Sequence, residues 1–222
     1  MPRARRRRAW WRAVEPFSCY SHLAGALAAI AGLAVLIVLS EGDPWRLASF
    51  SIYGGSLILL YLASAFYHGL LVPIAQRKWL NRLDHVAIFL LIAGTYTPVC
   101  LITLRGGWGW SVFGVIWGAA LAGALIKLFF PALPRRVSAT IYVAMGWAAL
   151  VAVVPLVRAF PPSALAWLLA GGLLYTGGAI VYTTRRPNPL PRVFGFHEIF
   201  HLFVLGGSAA HFVFLVRWVA PG

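Results

Sequence analysis

The 222-residue chain is 61% hydrophobic, only 11% charged, and carries a formal charge of +14. A water-soluble domain of this length has about 25% charged residues and cannot hide so much apolar surface, so the composition excludes one. The excess of Lys and Arg does not mark a nucleic-acid binder, because the basic residues lie between apolar runs and form no aromatic–basic face.

Residues 1–19 form a basic segment with Arg3, Arg5, Arg6, Arg7, Arg8 and Arg12. It reads as a cytoplasmic anchor for a retained first span. The apolar run after it is about 20 residues, longer than a secretory signal core, and no small-residue cleavage site follows. Residues 20–222 then form one membrane domain. Its seven apolar runs are each long enough to cross hydrocarbon as a helix: Tyr20–Leu39, Leu47–His68, Leu83–Leu104, Trp108–Phe129, Ser138–Val157, Ser163–Tyr182 and Val193–Val216. The connections are short and hold the helix breakers, such as Glu41-Gly42-Asp43-Pro44, Gly106-Gly107 and Pro161-Pro162. Of the 19 Lys and Arg, 15 fall on one side of this arrangement and four on the other. The positive-inside rule then predicts an all-α, seven-transmembrane bundle in the cell membrane, with a cytoplasmic N-terminus and an extracytoplasmic C-terminus. Cys19 and Cys100 fit no metal or disulfide motif and are expected near opposite faces.

Ionisable side chains beside a membrane span are costly, so they mark function. His68 is expected at the cytoplasmic end of the second span, with Ser64 one turn deeper. Asp84 and His85 are expected in the first turn of the third span, and His197 and His201 at the start of the seventh. Three distant segments thus bring such groups to one depth. His197 and His201 are spaced i, i+4, which puts both imidazoles on one helix face, close enough to share an ion. His68 is the best candidate for a third ligand, and three imidazoles with an open position form the pattern of a catalytic zinc site. Asp84 can move a proton there, and Ser64 can hydrogen-bond a developing oxyanion. The alternative is three separate interfacial histidines that reach for water.

The other candidates read differently. His197-Glu198-Ile199-Phe200-His201 also matches a zincin string, with Glu198 as a base. No acidic residue follows it, so Glu198 is better read as pairing with a cytoplasmic Arg such as Arg192. His211 lies ten residues past His201, about 15 Å along a helix, and is expected in the bundle interior. His22 has the right depth but no i, i+4 partner, and His85 is expected to face away from Asp84.

The strings Ser64-Ala-Phe-Tyr-His68, Asp84-His85 leading to Gly94-Thr95-Tyr96-Thr97-Pro98, and His197-Glu-Ile-Phe-His201 running on to His211 resemble the PAQR (progestin and adipoQ receptor) family. Within it the chain is most similar to the bacterial hemolysin III branch, from Ser21-His22 to His211. The resemblance implies a seven-helix fold and a Zn2+ ion held by His68, His197 and His201 near the cytoplasmic face. It also implies that Ser64 and Asp84 act beside that ion, with Asp84 working through water. The wider superfamily includes alkaline ceramidases, which cleave a sphingolipid amide.

The expected function is a zinc-dependent hydrolase of lipid amides or esters that maintains membrane lipid state, with membrane lipids as its partners. A receptor or sensor with a structural zinc is the alternative, and a cytolysin a weaker one, since no segment resembles a secreted pore-former. Neither substrate nor oligomeric state is legible in the sequence: Gly171-Gly172 and Gly177-Gly178 permit close helix contact, which can equally be internal.

Overall fold

The computed structural model describes residues 13–190 and 193–221. The Arg-rich start and Arg192 lie outside the described residues. Seven helices are long and apolar enough to cross a membrane: α1 (Pro16–Val38), α2 (Pro44–Gly69), α3 (Ile74–Thr103), α4 (Gly107–Phe129), α5 (Arg135–Ala159), α6 (Pro162–Thr184) and α7 (Phe196–Val219). No β-strand occurs among the described residues. This is the all-α, seven-transmembrane bundle that the hydropathy pattern predicts.

Local chemistry sets the helix ends. Pro begins α1, α2 and α6, where its missing N–H costs nothing. Asp43 caps α2, its carboxylate accepting from Trp45 N and Arg46 N at 2.8 Å each. Gly42, at φ +80, makes the tight turn from α1 to α2. Gly109 lets α4 start directly against the end of α3, where a Cβ would strike the Cys100 and Leu104 carbonyls.

One boundary needs correction. The third span was expected to start at Leu83, which put Asp84 in its first turn. Instead α3 starts at Ile74, ten residues before Asp84. The added turns carry Arg77, Lys78, Asn81 and Arg82. Hydropathy cannot count such residues as membrane, yet straight-chain Arg and Lys are good helix formers, so the helix runs on.

Fully buried Leu36 of α1, Phe50 and Tyr53 of α2, and Phe214 and Leu215 of α7 form one core. Phe89, Ile116 and Met145 form a second between α3, α4 and α5. α3 contributes to both, through Leu91 on one side and Phe89 on the other, and so joins the two halves of the bundle. Outward faces carry apolar residues such as Val38, Val115 and Val151, which suit lipid and would be an aggregation hazard in water.

Two helices are irregular, and one motif binds them. α5 is α-helical to Trp147, 3₁₀ from Ala148 to Ala152, and α-helical again from Val153, just before Pro155. Tyr96 of α3 reaches into this break. Its hydroxyl shares its one proton between the carbonyls of Met145 and Gly146, at 2.9 and 2.7 Å, and accepts from Ala149 N at 2.8 Å. Next to it, Thr97 accepts from Trp117 Nε1 at 3.1 Å, and after Pro98 α3 widens into a π-turn from Val99 to Thr103. Inside hydrocarbon these backbone groups have no water to turn to, so the side chain from the neighbouring helix satisfies them.

Tyr96→Phe removes that hydroxyl and leaves the Ala149 N–H unpaired. The expected cost is about 1–3 kcal/mol. It should be seen as a lower unfolding midpoint in detergent and faster hydrogen exchange at Ala149. An unchanged midpoint with unchanged exchange would show that the break is held by something else.

Candidate metal centre

His68 ends α2, while His197 and His201 occupy the first two turns of α7. α1 packs against both α2 and α7 and so brings these helix ends together. His68 and His201 are each 1% exposed, and His197 is half-buried. His197 Nε2 lies 3.2 Å from His68 Nε2 and 3.2 Å from His201 Nε2. One donor atom from each of the three rings falls within 4.8 Å of the others.

That arrangement suits a cation better than a proton. A ring nitrogen carries at most one hydrogen, so His197 Nε2 cannot make both contacts as good hydrogen bonds. Nitrogens bound to one zinc at about 2.0–2.1 Å, in tetrahedral geometry, stand about 3.3 Å apart. The two 3.2 Å separations are close to that value. The cluster can therefore hold a metal ion, and the all-imidazole donor set suits zinc among other first-row metals.

A fourth group fixes the cluster. Glu15, the residue before α1, accepts a hydrogen bond from His68 Nδ1 at 2.6 Å and another from Arg77 Nη2 at 3.0 Å. Its own backbone N–H donates to the His68 carbonyl at 2.9 Å. Placing the proton on His68 Nδ1 leaves Nε2 as the lone pair that faces the other two histidines. The hydrogen bond from His68 holds the Glu15 carboxyl below the usual carboxylate range, with the Arg77 charge adding and partial burial opposing.

The cluster opens onto a cavity of about 830 Å³ within the bundle. Ser64, Asp84 and His85 line it near the histidines, and apolar residues such as Leu91, Val99, Leu156 and Leu168 line the rest. A family model described as "Haemolysin-III related" matches residues 10–212. The chain belongs to the haemolysin III family.

Relatives agree with that membership. The chain is 42% identical to "Hemolysin-3" of Bacillus cereus over 93% of its own length and 92% of the relative's. It is 38% identical to "Hemolysin-3 homolog" of Bacillus subtilis, over 89% and 91%. A more distant similarity, 24% identity over 89% of this chain and 49% of the relative, links it to "Adiponectin receptor protein" of Drosophila melanogaster. These matches place it in the hemolysin III branch of the PAQR proteins, as a multi-pass membrane protein.

The structure distributes the remaining candidates as follows. Ser64 is 2% exposed, one turn deeper on α2 than His68, and Asp84 sits beside it across the α2–α3 contact. His85 donates from Nδ1 to Asn81 O at 2.8 Å and lines the same cavity as Asp84. Glu198 does not line the cavity. Its carboxylate accepts from Gly195 N at 2.8 Å and so caps α7, and among the described residues it pairs with no arginine. His211 is an interior histidine, donating to Gly207 O at 2.9 Å and stacking on Tyr175, with Gly171 making room for its ring.

Two residues join the centre that the spacing argument undervalued or missed. His22 is 3% exposed and stacks on His201, with ring centroids 3.8 Å apart. Having no i, i+4 partner did not matter, because its partner is on another helix. No local motif marks Glu15. The signal available was scarcity: it is one of five carboxylates, set between an Arg run and an apolar span.

Metal analysis of the purified protein should give about one zinc per chain, as a single three-histidine site predicts. His68→Ala should lose it. Stoichiometric zinc in a His197→Ala/His201→Ala double variant would sink the assignment. Glu15→Gln keeps the size of the side chain but weakens the acceptor, so metal affinity should fall about 10–100-fold. An unchanged metal dissociation constant would mean that Glu15 only tethers α1 to α2.

Proposed function

We propose that the protein is a zinc-dependent hydrolase that cleaves an amide or ester carbonyl of a membrane lipid at the cytoplasmic leaflet and so contributes to membrane lipid homeostasis. The observation that carries this reading is the junction of three converging imidazoles with a long apolar cavity, with Asp84 and Ser64 at that junction. A metal used only as a staple needs no such cavity beside it.

When bound, zinc supplies Lewis acidity toward a carbonyl oxygen and makes a nearby water a better nucleophile. His68, His197 and His201 hold the ion. The apolar walls accept the acyl chain and exclude bulk water, which places the scissile carbonyl at the polar end. Asp84 takes the proton of the attacking water as its oxygen bonds to the carbonyl carbon. It returns that proton to the leaving nitrogen or oxygen as the old bond breaks. Ser64 donates a hydrogen bond to the oxygen that gains negative charge. Glu15 keeps His68 in the tautomer that presents Nε2.

A receptor reading draws on the name of the Drosophila relative. In it the ion ties α2 to α7 and no bond is broken. The two readings separate on one comparison: lipidomics of cells with wild-type protein against cells with Asp84→Ala. Under the hydrolase reading, Asp84→Ala retains zinc and an amide or ester lipid accumulates, with turnover of that lipid by purified protein falling by at least about 100-fold. Matching lipid profiles, with zinc present in both, would favour the receptor.

A further inference from the structure

The chain has five carboxylates, and most are already committed. Asp43 caps α2 and Glu198 caps α7. Glu15 holds His68 and Arg77 in the two ion pairs found within 4.0 Å among the described residues. Glu41 lies exposed in the turn between α1 and α2. Asp84 faces Ser64.

Lys127 is therefore left without a counter-charge. It lies in the last turn of α4, is only 6% exposed, and lines the cavity. Among the described residues it has no hydrogen-bond or ion-pair partner. Arg135, the first residue of α5, lines the same cavity. Its guanidinium lies 5.2 Å from the Tyr182 ring centroid, and a single 3.4 Å bond runs from Nη1 to the Tyr182 carbonyl. Four of its five N–H donors are uncommitted to carboxylates or carbonyls of the described residues. An ammonium held at the wall of a mostly apolar cavity without a counter-ion is unfavourable. No carboxylate of the described residues lies within 4.0 Å of the Lys127 ammonium, which leaves room for an anion bound in the cavity to neutralise it.

We propose that Lys127 and Arg135 form an anion subsite that takes the phosphate of a phospholipid headgroup. The cavity continues from these cations past Ile88 and Leu91 to Val99 and Leu156. A charged end followed by an apolar length matches an amphiphile rather than a free ion. This deepens the hydrolase reading, and rests on it for placing the scissile carbonyl between headgroup and chain. Headgroup binding itself needs neither metal nor turnover, so it stands or falls separately from the Asp84 experiment.

The test uses the full chain in detergent micelles and native mass spectrometry. The probes are dioctanoyl phosphatidic acid, dioctanoylglycerol with the same chains and no phosphate, and inorganic phosphate. Wild type should prefer the phosphatidic acid by about tenfold or more, as charge-assisted hydrogen bonds to phosphate predict. Lys127→Arg should keep the preference and Lys127→Met should lose it, each with unchanged zinc content as the check on folding. If Lys127→Met does not fold, Arg135→Gln serves as the second variant and should reduce the preference. No preference in the wild type, or an undiminished one in the folded Lys127→Met or Arg135→Gln protein, overturns the subsite. Displacement of the lipid by equimolar inorganic phosphate would assign the cations to a soluble anion and overturn the lipid headgroup.

Discussion

Hydrocarbon offers no hydrogen bonds, so each polar group within the bundle needs a partner inside the protein. The broken helix α5 follows that constraint. A soluble helix can break and let water cover its loose carbonyls. α5 breaks between Trp147 and Val153 in the middle of a span, and Tyr96 of α3 takes the place of that water. The break is tolerated because α3 supplies the hydroxyl at that height. Met145, Gly146 and Ala149 touch Tyr96, and Gly146 and Ala149 also line the cavity, so the repaired break is part of the cavity wall. The polar economy of α5 and the shape of the cavity are the same feature.

The same constraint explains how the metal centre is built. Three imidazoles at one point are unfavourable neighbours that a shared cation would stabilise. His68 is held from behind by Glu15, and Glu15 is held by Arg77, so the chain from α1 through α2 to α3 is continuous at 2.6 and 3.0 Å. The backbone bond from Glu15 to the His68 carbonyl adds a second tie between the same two residues. Glu15 therefore sets where α1 begins and how His68 is oriented at once. Glu198 has the opposite fate. It lies between two ligands in sequence, yet the helix turns it away by about 100°, and the open N-terminus of α7 claims it.

Much of this was legible in the sequence, for reasons that can be named. Seven spans are visible because hydrocarbon thickness demands long apolar runs, and short loops leave little else to place. The His197/His201 pair is visible because i, i+4 is a local relation. His68 comes next, since reading the spans in alternation places it at the same depth. What stayed hidden is tertiary and lateral. Glu15 and His68 are 53 residues apart, and nothing local says that one helix start meets another helix end. His22 stacks across a helix contact that depth alone does not specify. The true start of α3 was hidden because Arg77, Lys78 and Arg82 look like loop by hydropathy while favouring helix by propensity.

Charge scarcity gives the last step. In a chain with 19 basic and five acidic residues, most cations need no explanation, because topology accounts for them and water solvates them. Arg46, for example, reaches the Ala220 carbonyl at 3.0 Å, on the end of the bundle opposite the histidines. The informative cations are those that depart from this rule. Arg77 departs by joining Glu15, which turns a topological residue into a support for the metal centre. Lys127 departs by lining the cavity wall with no carboxylate of the described residues within 4.0 Å. Such a group favours an anion in the cavity beside it, which is large enough and apolar enough for that anion to belong to a lipid.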